Sequence, residues 1–307
     1  MEIRQLDIFR ILAHELNFTR AAERAHCVQS NVSVQIRALE EELGVQLFER
    51  LGQRVRLTAH GQRLLPYSER ILRLLEEART MTRDGDSPAG TLVVGSPESV
   101  LTYRLPPVLQ IFRRKYTEVE LVFRAVGSTD LVPLLEQGQL DIGLVIDDVL
   151  KHPRLQVEAL GAEPLALLVH PGHALLTRSA ISAEDLRDQA FLLTDPGCAY
   201  RSKLEHALGK EHVRPRAVME FTSVETIKQC AALGMGIACL PAIVADSEIV
   251  AGKLAALPWS GSNLTMKTLV AWHKDKWRSP GMEAFLSLLR TRFRPKKSGA
   301  LNAAAQP

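Results

Sequence analysis

The chain has 307 residues, 46% of them apolar, which suffices for two or three domains with sizeable cores and excludes a disordered or fibrous polypeptide. No run approaches the roughly 20 apolar residues of a membrane span, and the start MEIRQLDIFR lacks the form of a secretion signal, so a cytoplasmic protein is expected. The net charge is only +3, and residues 1–58 hold eight arginines against eight acidic residues, so any affinity for nucleic acid there depends on where the arginines point and not on bulk charge.

The first patterned stretch is residues 19–58, TRAAERAHCVQSNVSVQIRALEEELGVQLFERLGQRVRLT. Its first part, about 19–26, reads as a short helix with Ala21, Ala22 and Ala25 on a closely packed side; Thr19 is placed to cap it, and its amide end to rest on a phosphate. A second helix, about 29–43, has Val32, Ile36, Leu39 and Leu43 at three- and four-residue spacing, which makes its buried face. Gln29, Ser33 and Arg37 follow at spacing four on the other side, with Ser30 and Asn31 beside the helix start. Gln and Asn pair with both polar edges of adenine, Arg does so with guanine, and Ser fits near a base edge or a phosphate, so the stripe suits a major groove. After a turn and the apolar anchor of Leu47 and Phe48, residues 52–56 read as a hairpin tip. There Arg54 and Arg56 share one strand face, suited to a minor groove or to the backbone. Taken singly, these features also fit a wet helix face and a solvated hairpin.

The motifs FTRAAER, LEEELGVQLFER and RLTAHG resemble the N-terminal winged helix-turn-helix of LysR-type transcriptional regulators, and the similarity extends through nearly all of the chain, at lower density after residue 90. The resemblance implies an all-α winged helix-turn-helix domain with a linker helix, followed by a C-terminal α/β two-lobed effector domain of periplasmic-binding-protein type. It also implies that Gln29, Ser30, Asn31, Ser33 and Arg37 carry groove contacts and that Arg54 sits on the wing. Two positions depart from the family pattern. Val28 stands where Ser or Thr usually caps the recognition helix, at a cost of about 1 kcal/mol, and Val34 replaces a commonly polar residue.

Residues 58–83 read as one long helix in which Leu64, Tyr67, Ile71, Leu74, Ala78 and Met81 form a heptad seam. Such a seam wants a partner helix, although a helix packed on its own domain is the alternative. The resemblance implies the same pairing of subunits, in a homodimer or homotetramer whose two reading heads meet a partly palindromic promoter or operator in double-stranded DNA. Residues 84–90, DGDSPAG, have the composition of a linker. Strands and helices then alternate: strand TLVVGS, a helix through Pro106, strand VELVFRAV, helix DLVPLLEQG and strand DIGLVI, then strand PLALLVH, the helix start SAEDLRDQ, strand AFLLT, helix YRSKLEHALG, strand AVMEF, helix SVETIKQCAALG and strand GIACLP. Strand LTMKTLVAWHK and helix GMEAFLSLLRTRF complete an α/β domain with a mostly parallel sheet.

The expected division is a DNA-binding domain at 1–58, a dimerisation helix at 59–89, an effector-binding domain at 90–295 and a disordered tail at 296–307. Within the effector domain, lobe I takes 90–161 and 267–295 and lobe II takes 162–266, with crossovers near 162 and 266.

Ligands of open α/β sheets bind at the carboxyl ends of strands, where helix N-termini present free amides. Four strand-to-helix turns are rich in suitable groups: the one with Ser96 and Ser99, the one with Ser128 and Thr129, the run TDPGCAYR with Cys198, Tyr200 and Arg201, and the one with Thr222 and Ser223. They suit a small carboxylate or similar anion, and the resemblance places an effector between the lobes at Ser99, Ser128 and Thr222 or Ser223. Plain helix capping explains any one of them alone. Cys198 near a helix start and three residues before Arg201 has two features that activate a thiol, so a redox-responsive regulator acting through Cys198 is an alternative, and Arg201 is equally a candidate cation for an anionic ligand.

Cys27, Cys198, Cys230 and Cys239 lack metal-ligand spacing, and His170 and His173 have no nearby carboxylate or Cys to complete a site, so no metal is expected. GMGIAC lacks the third glycine of a dinucleotide loop, and no nucleophile elbow, P-loop or H-E-x-x-H occurs. The expectation is therefore no catalytic residue and no cofactor. A solute-binding protein explains the clamp but leaves the first 83 residues idle.

Overall fold

A computed structural model describes residues 1–51, 54–81, 88–214 and 216–293. The tip of the expected hairpin, most of the expected linker and the expected tail lie outside them. The chain forms two compact units, Met1–Thr91 and Leu92–Pro307.

The first unit begins with α1 (Ile3–Glu15), a helix absent from the sequence expectations, in which Leu6, Phe9, Leu12 and Ala13 turn inward at helical spacing. Leu16 in the left-handed region, φ +48°, ends it by returning its N–H to Leu12. Helix α2 (Phe18–Arg24) follows, and the sequence expectation for its cap is corrected. Asn17, not Thr19, caps it, its side chain accepting from Thr19 N at 2.9 Å and Arg20 N at 3.1 Å. The helix starts a residue earlier than expected because Phe18 is buried together with Ala21 and Ala22. Helix α3 (Gln29–Leu43) has Val28 at its N-cap with no side-chain bond, and Gly44, φ +68°, ends it. Val32, Ile36 and Leu39 form its inner face; Leu43, expected there too, is exposed in the last turn, where the core has ended.

Strands β1 (Phe48–Leu51) and β2 (Arg54–Leu57) make an antiparallel hairpin, with Glu49 opposite Arg56. Glu40 Oε1 fastens β1 to α3 by accepting from Leu47 N at 2.7 Å and Phe48 N at 3.1 Å. Helix α4 (Ala59–Met81) leaves the hairpin through Gly61, where a Cβ would stand 2.3 Å from the Leu47 carbonyl oxygen, so no larger residue fits.

In the second unit, β3 (Gly90–Ser96), α5 (Glu98–Tyr103), α6 (Pro106–Lys115), β4 (Val119–Ala125), α7 (Ser128–Glu136) and β5 (Ile142–Asp147) build one lobe. Strand β6 (Leu155–Val169) leads to the other, made of β7 (Ala190–Thr194), α8 (Ala199–Lys210), β8 (Ala217–Phe221), α9 (Val224–Ala232), β9 (Ile237–Pro241), α10 (Asp246–Val250) and β10 (Ala255–Ala256). Strand β11 (Thr265–His273) and α11 (Pro280–Arg292) return to the first lobe. The strand order is β4-β3-β5-β11-β6-β9-β7-β8, with β10 on β6.

Two expectations are corrected here. The sheet is parallel only within each lobe, at β3/β5, β7/β8 and β7/β9; its centre is antiparallel, at β5/β11, β11/β6 and β6/β9. And β6 is 15 residues long where only PLALLVH was expected. Its first half, with Gln156, Glu158 and Glu163 among the apolar residues, pairs with β11, and its second half pairs with β9, so one strand runs through both lobes.

At that passage Glu163, 1% exposed, takes a two-pronged bond from Arg104 at 3.0 and 2.9 Å and a third from Thr268 Oγ1 at 3.0 Å. Breaking one partner of such a pair leaves a buried charge uncompensated. Glu163→Ala is expected to destabilise the second unit by about 3 kcal/mol, read from the midpoint of its urea unfolding transition.

Candidate nucleic-acid interface and inter-lobe cleft

On α3 the buried line of Val32, Ile36 and Leu39 fixes the outer face by the 100° advance per residue. Ser30, Val34 and Arg37 lie along the middle of that face, Gln29 and Ser33 flank it on one edge, and Asn31 lies on the other. Gln29, Ser30 and Arg37 are exposed, and Ser33 and Asn31 are half-buried. Val34 is 61% exposed, an apolar group in the midst of a polar face. Arg56 is exposed on β2; the Arg54 backbone belongs to the same strand, while its side chain lies outside the described residues. Thr19 is exposed, but its amide and that of Arg20 are occupied by Asn17, so the amide end of α2 is largely filled before any phosphate arrives.

The arginines of this unit divide into two kinds. Arg10 pairs with Asp7 at 2.6 Å, and Arg24 and Arg20 with Glu15 at 2.6 and 3.8 Å. Arg37 and Arg56 have no hydrogen bond or ion pair among the described residues. On α4, Tyr67, Ile71, Leu74, Ala78 and Met81 are exposed, Tyr67 by 64%, and make an apolar stripe. Leu64 is a correction to the expected seam: it packs against the unit's own core with Leu65, since the first turns of α4 lie on that core.

In the second unit the four turns come together. Glu98 Oε2 accepts from Val224 N at 3.2 Å, joining the first turn of α5 to the start of α9. The Tyr103 hydroxyl donates to Glu225 Oε2 at 3.1 Å and accepts from Lys228 Nζ at 2.9 Å. Lys203 on α8 reaches Asp148, just past β5, at 2.6 Å. At Gly197, φ +95°, a Cβ would lie 3.6 Å from the Thr129 methyl, so the 195–198 turn adjoins the 127–129 turn. Each contact joins the lobe of β3, β4 and β5 to that of β7, β8 and β9.

The expected site residues fare differently. Ser96 is wholly buried at the end of β3, its hydroxyl 3.4 Å from the Pro97 carbonyl. Ser99 is 2% exposed, and its Oγ has no partner; Thr194, 7% exposed at the end of β7, is in the same condition. Ser128 is half-buried and Thr129 and Thr222 are exposed, while Ser223 caps α9 by accepting from Thr226 N at 3.5 Å.

Cys198 is half-buried at the N-cap of α8, two residues before Tyr200, whose hydroxyl burial holds far above the ordinary phenol range. Arg201 is engaged inside its own lobe, with Thr194 O at 2.6 Å and with Glu205 and Glu220 at 2.8 Å each. Its guanidinium is therefore already shared between two carboxylates of its own lobe. All four cysteines are free thiols. Glu98, Tyr103 and Lys228 were absent from the expected site. Glu98 stands in the SPES turn that was singled out, but nothing in the sequence signals that α5 faces α9.

Residues 3–62 match the model of the family described as bacterial regulatory helix-turn-helix protein, lysR family, and residues 85–294 match the LysR substrate binding domain. The chain is 38% identical over 295 residues to an uncharacterised HTH-type transcriptional regulator, YwqM, of Bacillus subtilis, with 96% of this chain and all of the relative covered. It is 32% identical to the HTH-type regulator CzcR of Bacillus subtilis, over 94% of this chain and 97% of that one. Among solved structures, a cysteine-to-aspartate variant of full-length OxyR from Pseudomonas aeruginosa superposes with a TM-score of 0.72 at 27% identity, covering 94% of this chain and 98% of that chain. Among the described residues no helix is long and apolar enough to cross a membrane.

Lys228 is almost fully buried, with Glu225 at 3.0 Å and Glu248 at 2.7 Å. Burial alone lowers an ammonium pKa, but the bonds to Glu248, Tyr103 and Glu225 outweigh it and hold Lys228 above its ordinary value. The Glu225 carboxyl is held low by Gln229 and Lys228; at Glu248, burial pulls the other way and the Lys228 bond prevails. Depressed carboxylates contribute stability that is present above their unfolded value and lost as pH falls through the folded one. Lys228→Met is therefore expected to lower the urea midpoint at neutral pH, with the deficit shrinking below about pH 4.3. A deficit independent of pH would assign the loss to packing alone.

Proposed function

The chain belongs to the LysR family of bacterial helix-turn-helix transcriptional regulators, and from that premise we propose how its parts divide the work. Helix α3 lies in the major groove of promoter DNA, with Gln29, Ser30, Asn31, Ser33 and Arg37 towards base edges and phosphates, and the hairpin sends Arg54 and Arg56 to the minor groove or backbone. Thr19 adds its exposed hydroxyl to the backbone contacts. The observation that carries this reading is the division of the arginines. Arg10, Arg20 and Arg24 are held by carboxylates, whereas Arg37 and Arg56, like Arg4 and Arg70 away from the face, hold none, which leaves the guanidinium groups of Arg37 and Arg56 to guanine or phosphate. Val34 in the middle of the face offers the apolar contact that a thymine methyl takes.

Pairing of two chains along Tyr67, Ile71, Leu74, Ala78 and Met81 brings two reading heads to one partly palindromic site. A small effector binds between the lobes at the Ser99, Ser128, Thr194 and Thr222 turns. It acts by shifting the population between assembly states, which requires that it bind one of them more tightly. The compartment is the cytoplasm, where the DNA is. Redox control through Cys198 is the weaker reading, since the cation that would activate the thiol is neutralised within its own lobe.

Gln29→Ala combined with Arg37→Ala is expected to weaken retention of DNA from upstream of the protein's own gene at least about tenfold in a gel shift, two base contacts being worth about 1–3 kcal/mol each. Unchanged retention would remove α3 as the reading helix. Tyr67→Glu with Leu74→Glu is expected to lower the assembly state in analytical ultracentrifugation, and a wild-type sedimentation profile would end the proposal for α4.

A further inference from the structure

The turns at the inter-lobe cleft hold two buried hydroxyls and a carboxylate whose hydrogen bonding within the protein is incomplete. Ser99 Oγ and Thr194 Oγ1 are both buried without a partner, and a buried hydroxyl left unpaired is costly enough that such groups are few in a native fold. Next to Ser99, Glu98 makes one hydrogen bond among the described residues, from Oε2 to Val224 N at 3.2 Å, which leaves Oε1 open. Glu98 itself is half-buried.

The cations in the first two turns of α8 and on α9 are committed elsewhere. Arg201 holds Glu205 and Glu220, Lys203 holds Asp148, and Lys228 holds Glu225 and Glu248. The leading amide of α9, where an acid would dock, is already occupied by Glu98. An anionic ligand entering here meets a carboxylate with no Lys or Arg of α8 or α9 free to offset it. An ammonium group meets the reverse: it has three donors and no acceptor, and the Glu98 carboxylate and the oxygens of Ser99 and Thr194, hydroxyls that also donate, can accept from it.

We infer that the effector is a small molecule carrying a protonated primary amine, paired with Glu98 and bonded to the hydroxyls of Ser99 and Thr194. The inference rests on the proposed reading of the cleft as the effector site. Glu98 then determines specificity, and because it belongs to one lobe while its amide partner belongs to the other, the ligand acts on a contact that already joins them.

The test is thermal unfolding of the full-length protein with butylamine, cadaverine and phenethylamine, set against butyrate, glutarate and phenylacetate, since a ligand that binds the folded state raises the unfolding temperature. At least one amine is expected to stabilise the wild type and to lose its effect in Glu98→Gln, and no carboxylate is expected to stabilise it. Ser99→Ala with Thr194→Val, which removes two hydroxyls that bond nothing in the protein, is expected to weaken the amine several-fold and serves as the second variant should Glu98→Gln fail to fold. Stabilisation by a carboxylate that is lost in the hydroxyl variant would overturn the amine while leaving the cleft as the site. A shift that survives in the hydroxyl variant would overturn the cleft itself, and no shift with any of the amines would overturn the inference.

Discussion

The second unit depends on one strand that cannot be assigned to either lobe. In β6, residues as far as Pro164 pair with β11 and residues from Leu165 pair with β9, so a single ladder carries the chain from one lobe to the other without a loop. A strand pairs in one register, and a slip of one residue would turn every side chain to the other face. The ladder of β6 with β11 shifts register between Thr268 and Leu269, where β6 carries Leu160 as an extra residue. Glu163 sits at the passage and is tied at once to α5 through Arg104 and to β11 through Thr268, which makes the junction a fixed point about which the lobe faces are arranged.

The contacts across the cleft are of a different nature from that junction. Polar groups meet there, a carboxylate on a helix amide, a phenol between a lysine and a glutamate, a lysine on an aspartate, beside apolar packing that runs from Val100 and Phe112 to Tyr200 and Val224 of the other lobe. Partly exposed pairs of this kind are individually weak, and their loss is partly repaid by water. The apolar packing from Phe112 and Phe285 to Val224 and Leu240 is continuous across the lobes, whereas the core around Phe191 and Leu204 belongs to one of them.

What the sequence made legible was periodic. The inner face of α3, the stripe on α4 and the alternation of strands and helices all follow from the spacing of apolar residues, and each is visible in a window of a dozen residues. What escaped was set by partners distant in sequence. The first half of β6 carries Gln156, Glu158 and Glu163 because these find Arg290, Arg104 or solvent, and nothing local says that such a segment is a central strand. Arg201 read as a free cation because Glu220 lies in another strand. Leu64 fits the heptad by spacing, yet the core of its own unit claims it. Asn17 was overlooked for the opposite reason, since the cap is local but lies one residue outside the motif that drew notice. The polar groups of the cleft were recognisable as a set of turn residues. Which of them bond each other and which are left over, Ser99 and Thr194 above all, is decided only when α5 meets α9.

The charge balance of the first unit bears on how such a protein discriminates among sites. With eight arginines against eight acidic residues in 1–58 there is no broad positive field, and three of the arginines are further quenched by ion pairs. Non-specific binding, which scales with the number of phosphates neutralised, is thereby kept low. On the proposed reading, the free guanidinium groups of Arg37 and Arg56 would then provide a larger share of the total affinity than they would on a basic surface, and occupancy would depend more steeply on the contacts of the reading face itself. A single head built in this way binds weakly, and joining a second turns the next binding event into an intramolecular one whose gain is set by the geometry of the joint. Control therefore need not touch the reading helix at all: a change in how two heads are held is enough to alter occupancy.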